Sequence, residues 1–472
     1  MFDREFDDEY LEDMSGLVER YEKMVRDNEK RFFEESSLEQ LIEYYEDNNN
    51  LERALEVAEV GIEQHPLSSS FLVKKAQLLF DMKQFSMSLE LLDKAAVLDP
   101  KDINIFLLRA DIYMWLNDFK KAISSIHDFM LIADKEELPD LYLELADIYE
   151  EWGKYWEVFD CLKQTLELDL KNEEALNRMW FCVEFTGKYE ESIDLHNKII
   201  DEDPYSYLAW FNLAHAYSGI GLFEKAIEAF EFALAINENY EYAYKDAADI
   251  YFRLKQYEKA AEYYMKVAAI AKPYKELYFS TGECYEKMKE LNKARYYYRK
   301  ALMLDPYFDV ALYKIGLTYQ HEAKNDNALA SFEKAYKLNP KVADYLIALA
   351  NTHRASGNLD KAASLFRKAL AERNAKKTTW IEAAFTFFEA LEYREAFDTL
   401  DDAAAIYEKN AEFYFIKAAL YYQVGNRNEA FLNLETGLIK DWKRHKSIFN
   451  ITPYMKNDNV VLQLIEQYKK RK

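Results

Sequence analysis

The sequence has few residues that break helices and few that cross-link a fold. Its 472 residues include 11 glycines and 8 prolines, well below the usual frequencies of about 7% and 5%. With so few chain breakers, and with abundant Ala, Leu, Glu, Lys and Tyr, the composition favours helices. The three cysteines, Cys161, Cys182 and Cys284, are far apart and none belongs to a Cys-x-x-Cys pair. This scattered, odd-numbered set argues against a disulfide framework and is typical of a reducing compartment.

Long apolar runs and a basic amino-terminal segment are also missing. No run reaches the length of about 18 apolar residues that a membrane-spanning helix needs. The chain begins with the acidic stretch MFDREFDDEYLEDM, which lacks the basic and apolar regions of a secretory signal. From these features we expect a soluble cytoplasmic protein without a membrane partner.

Basic residues are in short supply relative to acidic ones. The chain has 61 Lys and Arg against 85 Asp and Glu, a formal net charge of −24. Such a chain repels phosphate backbones and anionic membrane surfaces, so nucleic acid is not an expected partner. Half of the residues are apolar and 16% are aromatic, so the composition is that of a folded protein. Its length exceeds the range of about 250–300 residues at which single cores stop growing, which indicates several domains or a repeat array.

A period of 34 residues runs through the chain. Prolines that end the phrases LDP or LNP mark it, because proline cannot continue a helix; they stand at Pro100, Pro306 and Pro340. Small residues follow the same period. With one repeat counted from Asp309, the eighth place holds Ala76, Ala110, Ala146, Ala214, Ala248, Gly282, Gly316, Ala350, Ala384 and Ala418, and the twentieth place holds Ala54, Ala122, Ala226, Ala260, Ala294, Ala328, Ala362, Ala396 and Ala430. Small side chains at both places let two helices of a hairpin approach closely.

Glycine occupies the fifteenth place between the helices at Gly153, Gly187, Gly221, Gly357 and Gly425, where a positive φ is favourable.

These residues resemble the tetratricopeptide repeat family. Two stretches are close to its pattern: AWFNLAHAYSGIGLFEKAIEAFEFALAIN at 209–237 and ALYKIGLTYQHEAKNDNALASFEKAYKLNP at 311–340. The resemblance implies an all-α fold, a right-handed α-solenoid of about twelve helix-turn-helix repeats at 35–444. It also implies atypical ends, which we place at 1–34 (an acidic leader and capping helix) and 445–472 (a closing helix and basic tail). These ends resemble those of bacterial repeat proteins of unknown function. The terminal KKRK is either a docking signal or a frayed helix end.

The repeats at 103–206 depart from the pattern. Trp180 stands at the eighth place, where ten of the other repeats have a small residue, and Val158 replaces alanine at the twentieth. A bulky indole at the close-contact place predicts a kink or local repacking, although drift compensated by neighbouring residues explains the sequence equally well.

The chain contains no pattern that indicates catalysis. HEAKN at 321–325 ends in Asn325, so it lacks the second histidine of a zinc-binding helix, and Gly219-x-Gly221 lies between helices without a third glycine. Cys182 and Cys284 lie in apolar helical segments, where packing is the expected role. We therefore predict a protein that is not an enzyme and has no metal site and no cofactor.

In the family that the chain resembles, the first helix of each repeat faces a concave groove. Its second, fifth, ninth and twelfth places share one stripe. Two bases occupy the stripe, Lys245 and Arg354. Fifteen acids occupy it: Glu39, Glu43, Glu46, Asp111, Asp140, Asp147, Glu150, Glu174, Glu184, Asp249, Glu276, Glu283, Glu286, Asp344 and Glu412. This imbalance predicts a groove that attracts a Lys/Arg-bearing segment of another protein; the alternative is that the acids form a solvated face.

Aromatic side chains lie on the same stripe and could clamp apolar anchors of a partner, or simply fill the scaffold. The stretch 381–422 is the richest in them. The predicted partner-binding residues are Phe211, Lys245, Asp249, Phe252, Phe279, Glu283, Glu286, Tyr313, Arg354, Phe385, Phe388, Phe415 and Tyr422.

The sequence thus favours a non-catalytic scaffold or adaptor that binds a protein segment. A self-associating assembly protein is the alternative from another class. A regulatory enzyme or a sensor of a signalling peptide is a further one, and the oligomeric state is left open.

Overall fold

In a computed structural model, residues 2–371 and 375–469 are described, with side chains from Met14 onward. All regular structure in those ranges is helical, and none of it is strand. The chain divides into two compact units, Met1–Tyr240 and Glu241–Lys472. The all-α helical repeat fold predicted from the sequence is therefore confirmed.

Unit 1 contains one long helix followed by six helix pairs within its described residues. The long helix is α1 (Phe2–Asp27). The pairs are α2 (Glu35–Asp47) with α3 (Leu51–Gln64), α4 (Ser70–Asp81) with α5 (Phe85–Leu98), α6 (Ile103–Trp115) with α7 (Phe119–Met130), α8 (Leu138–Glu151) with α9 (Tyr155–Leu168), α10 (Glu173–Thr186) with α11 (Tyr189–Glu202), and α12 (Tyr207–Gly219) with α13 (Phe223–Ile236).

Unit 2 contains six further pairs and a closing segment. The pairs are α14 (Glu241–Arg253) with α15 (Tyr257–Ile270), α16 (Lys275–Lys287) with α17 (Leu291–Leu304), α18 (Asp309–His321) with α19 (Asn325–Leu338), α20 (Ala343–Ala355) with α21 (Leu359–Leu370), α22 (Lys377–Glu389) with α23 (Tyr393–Ile406), and α24 (Glu412–Gln423) with α25 (Arg427–Asp441). The closing segment holds two 3₁₀ turns, Trp442–Ser447 and Pro453–Asn457, and the helices α26 (Ile448–Ile451) and α27 (Asn459–Lys469).

In the five consecutive pairs from α12–α13 to α20–α21, the small residue at the eighth place makes room for an aromatic ring at the twenty-fourth. A Cβ added to Gly316 would lie 2.4 Å from Cε1 of Phe332, and one added to Gly282 would lie 2.6 Å from Cε1 of Tyr298. Both rings are fully buried. The close approach of the two helices in a pair therefore depends on a small residue that faces a ring, because an interior this dense has no spare volume.

The turn between the helices of each pair uses a positive φ at the fifteenth place, whether or not the residue is glycine. The five glycines named above have φ between 69° and 81°. The other seven pairs place an ordinary residue there, with φ between 55° and 63°: Asn49, Lys83, Asn117, Lys255, Lys289, Ala323 and Leu391. The turn geometry is thus imposed by the packing of the two helices, and the non-glycine residues bear its conformational cost.

Trp180 coincides with an altered packing in unit 1. Helix α10 contacts its own partner α11 less extensively than the other first helices contact theirs, and it packs instead against α9 and α12. The Trp180 indole lies 5.2 Å from the ring of His215 and 6.5 Å from that of Phe211, both on α12. Asn212 strengthens this contact because its side-chain amide donates to the Leu176 carbonyl at 2.8 Å. The bulky residue has shifted the packing of α10 from its own pair to the next one.

The closing segment of unit 2 covers the apolar face of the last pair. Ile448, Met455 and Val461 are buried against Leu434 and Leu438 of α25. The last residues of the KKRK tail, 470–472, lie outside the described residues. No described helix combines the length and apolarity that crossing a bilayer requires.

We predict that Leu391→Gly stabilises the protein by about 0.5–1 kcal/mol. Leu391 has φ 63° and its side chain is 71% exposed, so glycine relieves the strain without loss of packing. The midpoint of urea denaturation should rise. Gly357→Ala, at a place with φ 77°, is the matched reverse change and should lower it; an unchanged midpoint in both variants contradicts the account of the turn.

Candidate functional site

The first helices of successive pairs line the inner side of each unit. In unit 1, α4 contacts α6 and α10 contacts α12, and in unit 2, α20 contacts α22. Comparable contacts between successive second helices do not occur among the described residues. At these three places the first helices lie closer together than the second helices, so the stack curves there with the first helices inside.

In unit 2, the acids of this inner side are paired with lysines. The Lys245 ammonium lies 3.0 Å from Asp246 and 3.3 Å from Asp249. The hydroxyl of the buried Tyr264 also donates a short hydrogen bond to Asp249. Burial and the charge of Asp249 raise the pKa of Tyr264, so the phenol keeps its proton and remains a donor. Asp249 is therefore held by two partners.

The next repeat has the same arrangement with different residues. The Lys314 ammonium lies 2.8 Å from Glu283 and 3.4 Å from Glu286. The hydroxyl of the buried Tyr298 donates a short hydrogen bond to Glu286. Burial alone lowers the pKa of Lys314, but its hydrogen bonds and the two carboxylates raise it overall. The three acids predicted as binding residues, Asp249, Glu283 and Glu286, thus have internal cations.

Arg354 also pairs with an acid of the chain, Glu389. Its Nε donates to Glu389 at 2.7 Å, and a second, shorter hydrogen bond joins the same two side chains. Both bases of the predicted stripe therefore pair with acids of the chain itself.

In unit 1, two carboxylates of the inner side have no such partner. Asp111 on α6 and Glu144 on α8 are solvent-exposed and form no ion pair with the described part of the chain. Burial raises the pKa of Asp111, and burial together with the charges of Asp147 and Asp111 raises that of Glu144. Each side chain is thus reached by solvent and at the same time crowded by protein atoms. Ionised carboxylates in such a place favour a cation.

The neighbouring acids share one arginine. Arg178 on α10 lies 2.7 Å from Asp147, 2.8 Å from Glu150 and 3.2 Å from Glu174. One guanidinium cannot neutralise three carboxylates. The surface formed by Asp111, Glu144, Asp147, Glu150 and Glu174, which we name the α6–α10 acidic surface, therefore keeps an excess of negative charge.

Two of the predicted aromatic residues belong to the core. Phe211 is 2% exposed and Phe415 is fully buried, so neither presents a surface to a partner. The reason is the fifth place itself, because its ring packs on the side chain at the twenty-fourth place. The ring centroid of Phe211 lies 5.6 Å from that of Phe230, and Phe415 packs in the cluster that contains Leu434.

The remaining predicted aromatics are half-buried and packed against neighbours. Phe279 contacts the rings of Tyr298 and Phe308 at 5.4 and 5.2 Å, and the Tyr422 hydroxyl donates to Asp458 at 2.7 Å. Those with part of their ring at the surface are Phe252, Phe279, Tyr313, Phe385, Phe388 and Tyr422.

Residues at the sixth place were not predicted from the sequence. Glu144, Arg178 and Lys314 all occupy it, and Arg178 and Lys314 pair with the ninth-place and twelfth-place acids of the preceding repeat. They could have been found by comparing side chains on the facing sides of two adjacent first helices. Reading the i, i+3 and i, i+4 spacings along one helix at a time does not show these pairs.

The described residues offer little for catalysis. They contain no group of three or more His, Cys, Asp or Glu side chains arranged to hold a metal ion. The cysteines are free and buried. Burial raises the pKa of Cys182 to about 11 and those of Cys161 and Cys284 to about 12. Thiols with such values are protonated near neutral pH and are poor nucleophiles.

Pairs of short helices stacked at a 34-residue period define a helical repeat protein. Family models described as tetratricopeptide repeat match residues 207–240, 243–274, 275–308 and 313–376. The chain belongs to the tetratricopeptide repeat superfamily, as the sequence resemblance predicted.

Relatives with curated descriptions share part of their length with the chain. The TPR repeat-containing protein YpiA of Bacillus subtilis is 23% identical over 192 residues, 40% of this chain and 45% of that protein. The peroxisomal targeting signal receptor of Kluyveromyces lactis is 29% identical over 103 residues, 21% of this chain and 18% of the receptor. The chain thus spans less than half the length of these relatives.

Solved structures with a related fold are more distant. YrrB, described as a TPR protein with an unusual peptide-binding site, is 22% identical, with 38% of this chain and 93% of YrrB covered and a TM-score of 0.34. A tetratricopeptide repeat protein from Parabacteroides merdae is 16% identical, with 53% and 99% covered and a TM-score of 0.36. At these scores the superpositions say nothing about a site.

We predict that Asp111→Asn with Glu144→Gln stabilises the protein at pH 7 but not at pH 4. The folded-state pKa of both groups lies above the unfolded value of about 4. The stability linked to their protons is therefore complete below that value and is lost as the pH rises through the raised folded pKa. Urea denaturation at both pH values measures the difference.

Glu22 serves as the control for this prediction, because its pKa is shifted in the opposite direction. The hydrogen bond from Arg53 lowers the pKa of Glu22, so Glu22 contributes stability above its unfolded pKa that is lost as the pH falls. Glu22→Gln should weaken the fold at pH 7, and the deficit should shrink toward pH 4. A loss of stability at pH 7 in the Asp111/Glu144 variant contradicts the description of these groups as crowded and unpaired.

Proposed function

We propose that this protein is a non-catalytic, cytoplasmic scaffold that binds a Lys- or Arg-bearing segment of another protein on the inner side of its first helices. The observation that carries the proposal is the α6–α10 acidic surface, on which Asp111 and Glu144 pair with no cation of the described residues and Arg178 serves three carboxylates. A partner's ammonium or guanidinium groups supply the missing charge.

The physical argument rests on the position of these carboxylates. In a concavity the local dielectric is lower than in bulk water, so a charge–charge contact is stronger and less screened by salt. Complementary charge increases the association rate and excludes acidic partners. Membership of the tetratricopeptide repeat superfamily agrees with this, since one relative is a receptor for a targeting signal.

The inner side of unit 2 offers contacts of another kind. Its acids are already paired, and each lysine network keeps one net negative charge. Half-buried rings at Phe385 and Phe388 and the apolar Ile381 are accessible on α22. We assign apolar anchoring to this helix and cation binding to the α6–α10 acidic surface, each as a site of its own unit.

The experiment is a pull-down from a lysate of the source organism at low and at high salt. The test variant carries Asp111→Lys and Glu144→Lys. The matched control carries Asp128→Lys and Glu228→Lys, which change the net charge equally on exposed positions of the second helices α7 and α13. Both variants are first compared with the wild type by circular dichroism.

A protein retained by the wild type and the control, lost by the test variant and weakened at high salt is the expected client. Micromolar binding, about −8 kcal/mol, should fall at least about tenfold in the test variant. Equal retention by all three forms means that the acids are a solvated face and that binding does not use them.

A second candidate is self-association through the outer face of unit 2. Met303 on α17 is 81% exposed, Tyr307 is 77% exposed and Tyr296 is 54% exposed. Apolar side chains grouped on one face are typical of an interface. Light scattering should then give the mass of a dimer or larger for the wild type and 55.9 kDa for Met303→Glu with Tyr307→Glu. A monomeric wild type excludes this candidate.

A further inference from the structure

A cavity of about 620 Å³ lies in unit 2, where the closing segment meets the last two helix pairs. One wall is the end of α23 together with the turn that follows it, residues 405–411. The other wall holds Lys377 from the start of α22, Asp441 from the end of α25 and Arg444 from the first 3₁₀ turn. A cavity of this volume admits side chains of a partner.

Three basic side chains line this cavity and two more adjoin it. The Lys440 ammonium donates at 2.8 Å to the carbonyl of Glu408, which is a lining residue. Lys443 is next to Arg444 in the chain and belongs to the same 3₁₀ turn. We name this group the basic corner; its members are Lys377, Lys409, Lys440, Lys443 and Arg444.

The neighbouring carboxylates do not neutralise the basic corner. Glu412 is shared between Lys377 at 2.7 Å and Arg444 at 4.0 Å. Asp441 pairs with Arg444 at 3.3 Å, and the exposed Glu408 forms no ion pair with the described part of the chain. Five positive charges therefore stand beside three negative ones, on a chain whose formal net charge is −24.

Two lysines of the basic corner are available to a partner. Lys409 and Lys443 are exposed, and neither forms an ion pair with the described residues. By contrast, Lys245 and Lys314 on the inner side of unit 2 each pair with two carboxylates. Unpaired cations at the edge of a cavity are complementary to a partner that carries carboxylates.

The chain itself contains a segment of the opposite charge. Residues 2–13, which we name the leader segment, have seven Asp and Glu and one Arg in their sequence. They form the first part of α1 (Phe2–Asp27), a helical stretch of about 18 Å at 1.5 Å per residue. The leader segment thus has a net charge of −6, and the basic corner with its neighbours has a net charge of +2.

The negative charge of the whole chain does not prevent such a contact between two copies. Two copies with a net charge of −24 repel each other at long range. At physiological ionic strength the screening length is about 8 Å, so this repulsion is weak between distant surfaces. Opposite charges that approach within hydrogen-bonding distance are screened much less, and the local complementarity decides whether the copies associate.

We propose that the leader segment of one copy docks on the basic corner of a second copy. Its carboxylates pair with Lys409 and Lys443, and one of them enters the cavity. The contact joins two different surfaces, so each bound copy keeps a free leader segment or a free basic corner for another copy. It uses neither the α6–α10 acidic surface nor the outer face around Met303 and Tyr307, so it can fail while either of those proposals holds.

The test is sedimentation equilibrium of the full chain at about 0.15 M salt, where the screening length is about 8 Å. The leader variant carries Asp7→Lys with Asp8→Lys, and the corner variant carries Lys409→Glu with Lys443→Glu. The average mass of the wild type should rise with concentration above 55.9 kDa. Each variant alone should associate at least about tenfold more weakly, because like charges then meet at the contact.

An equimolar mixture of the two variants tests whether the contact joins two different surfaces. The corner variant keeps an intact leader segment, and the leader variant keeps an intact basic corner. The mixture should therefore form a one-to-one complex of twice 55.9 kDa and grow no further. Self-association through a single shared surface would instead give the same mass for each variant alone as for the mixture, and this result contradicts the proposal.

Two control variants change the net charge by the same amounts on exposed positions of second helices. Asp128→Lys with Glu228→Lys matches the leader variant, and Lys94→Glu with Lys198→Glu matches the corner variant. Both should associate like the wild type, and circular dichroism checks that every variant is folded. The proposal is overturned if the wild type stays at 55.9 kDa at all concentrations, if a control loses association as the test variants do, or if the mixture remains monomeric.

Discussion

In the five consecutive pairs from α12–α13 to α20–α21, the contact between a small residue at the eighth place and an aromatic ring at the twenty-fourth sets how closely the two helices approach. At Gly316 and Gly282 the ring leaves no room for even a methyl group. A single pair of short helices cannot cover its own apolar faces, so each pair must pack against the pairs before and after it. The orientation of the first helices, and hence the side chains that line the inner side of each unit, follows from this packing. Where Trp180 replaces the small residue, the contact is lost within the pair and rebuilt with α12.

The helix packing does not determine which charged residues occupy the inner side, and the ion pairing of these residues differs between the two units. In unit 2 a lysine in reach of two carboxylates, with a tyrosine hydroxyl behind them, makes a nearly self-contained network in two consecutive repeats. In unit 1 the corresponding acids have one arginine for several carboxylates. Ion pairs at a protein surface contribute little to stability, so the fold tolerates either arrangement. What differs is how much negative charge remains for a partner.

The parts of the structure that depend on periodicity could be predicted from the sequence. The 34-residue spacing of prolines and alanines predicts the helix pairs, and glycine at the fifteenth place predicts the left-handed turn. The same turn at Leu391 and Lys83 could not be foreseen, because nothing in those side chains favours a positive φ and only the packing of the pair imposes it. Phe211 and Phe415 were likewise expected on the groove surface, whereas packing on the side chain at the twenty-fourth place, Phe230 or Leu434, draws them into the core.

The candidate site was harder to predict because it depends on pairs between repeats. Counting acids along single helices suggested a uniformly acidic groove, yet Lys314 and Arg178 neutralise part of it from the next repeat.

The most direct test of the central claim is hydrogen–deuterium exchange of the full chain with and without its protein client. The account predicts slower exchange on binding in the first helices α6, α8 and α10, with little change in the second helices α7 and α9. Protection confined to the second helices would contradict it, because the client would then lie on the outer side, away from the unpaired carboxylates.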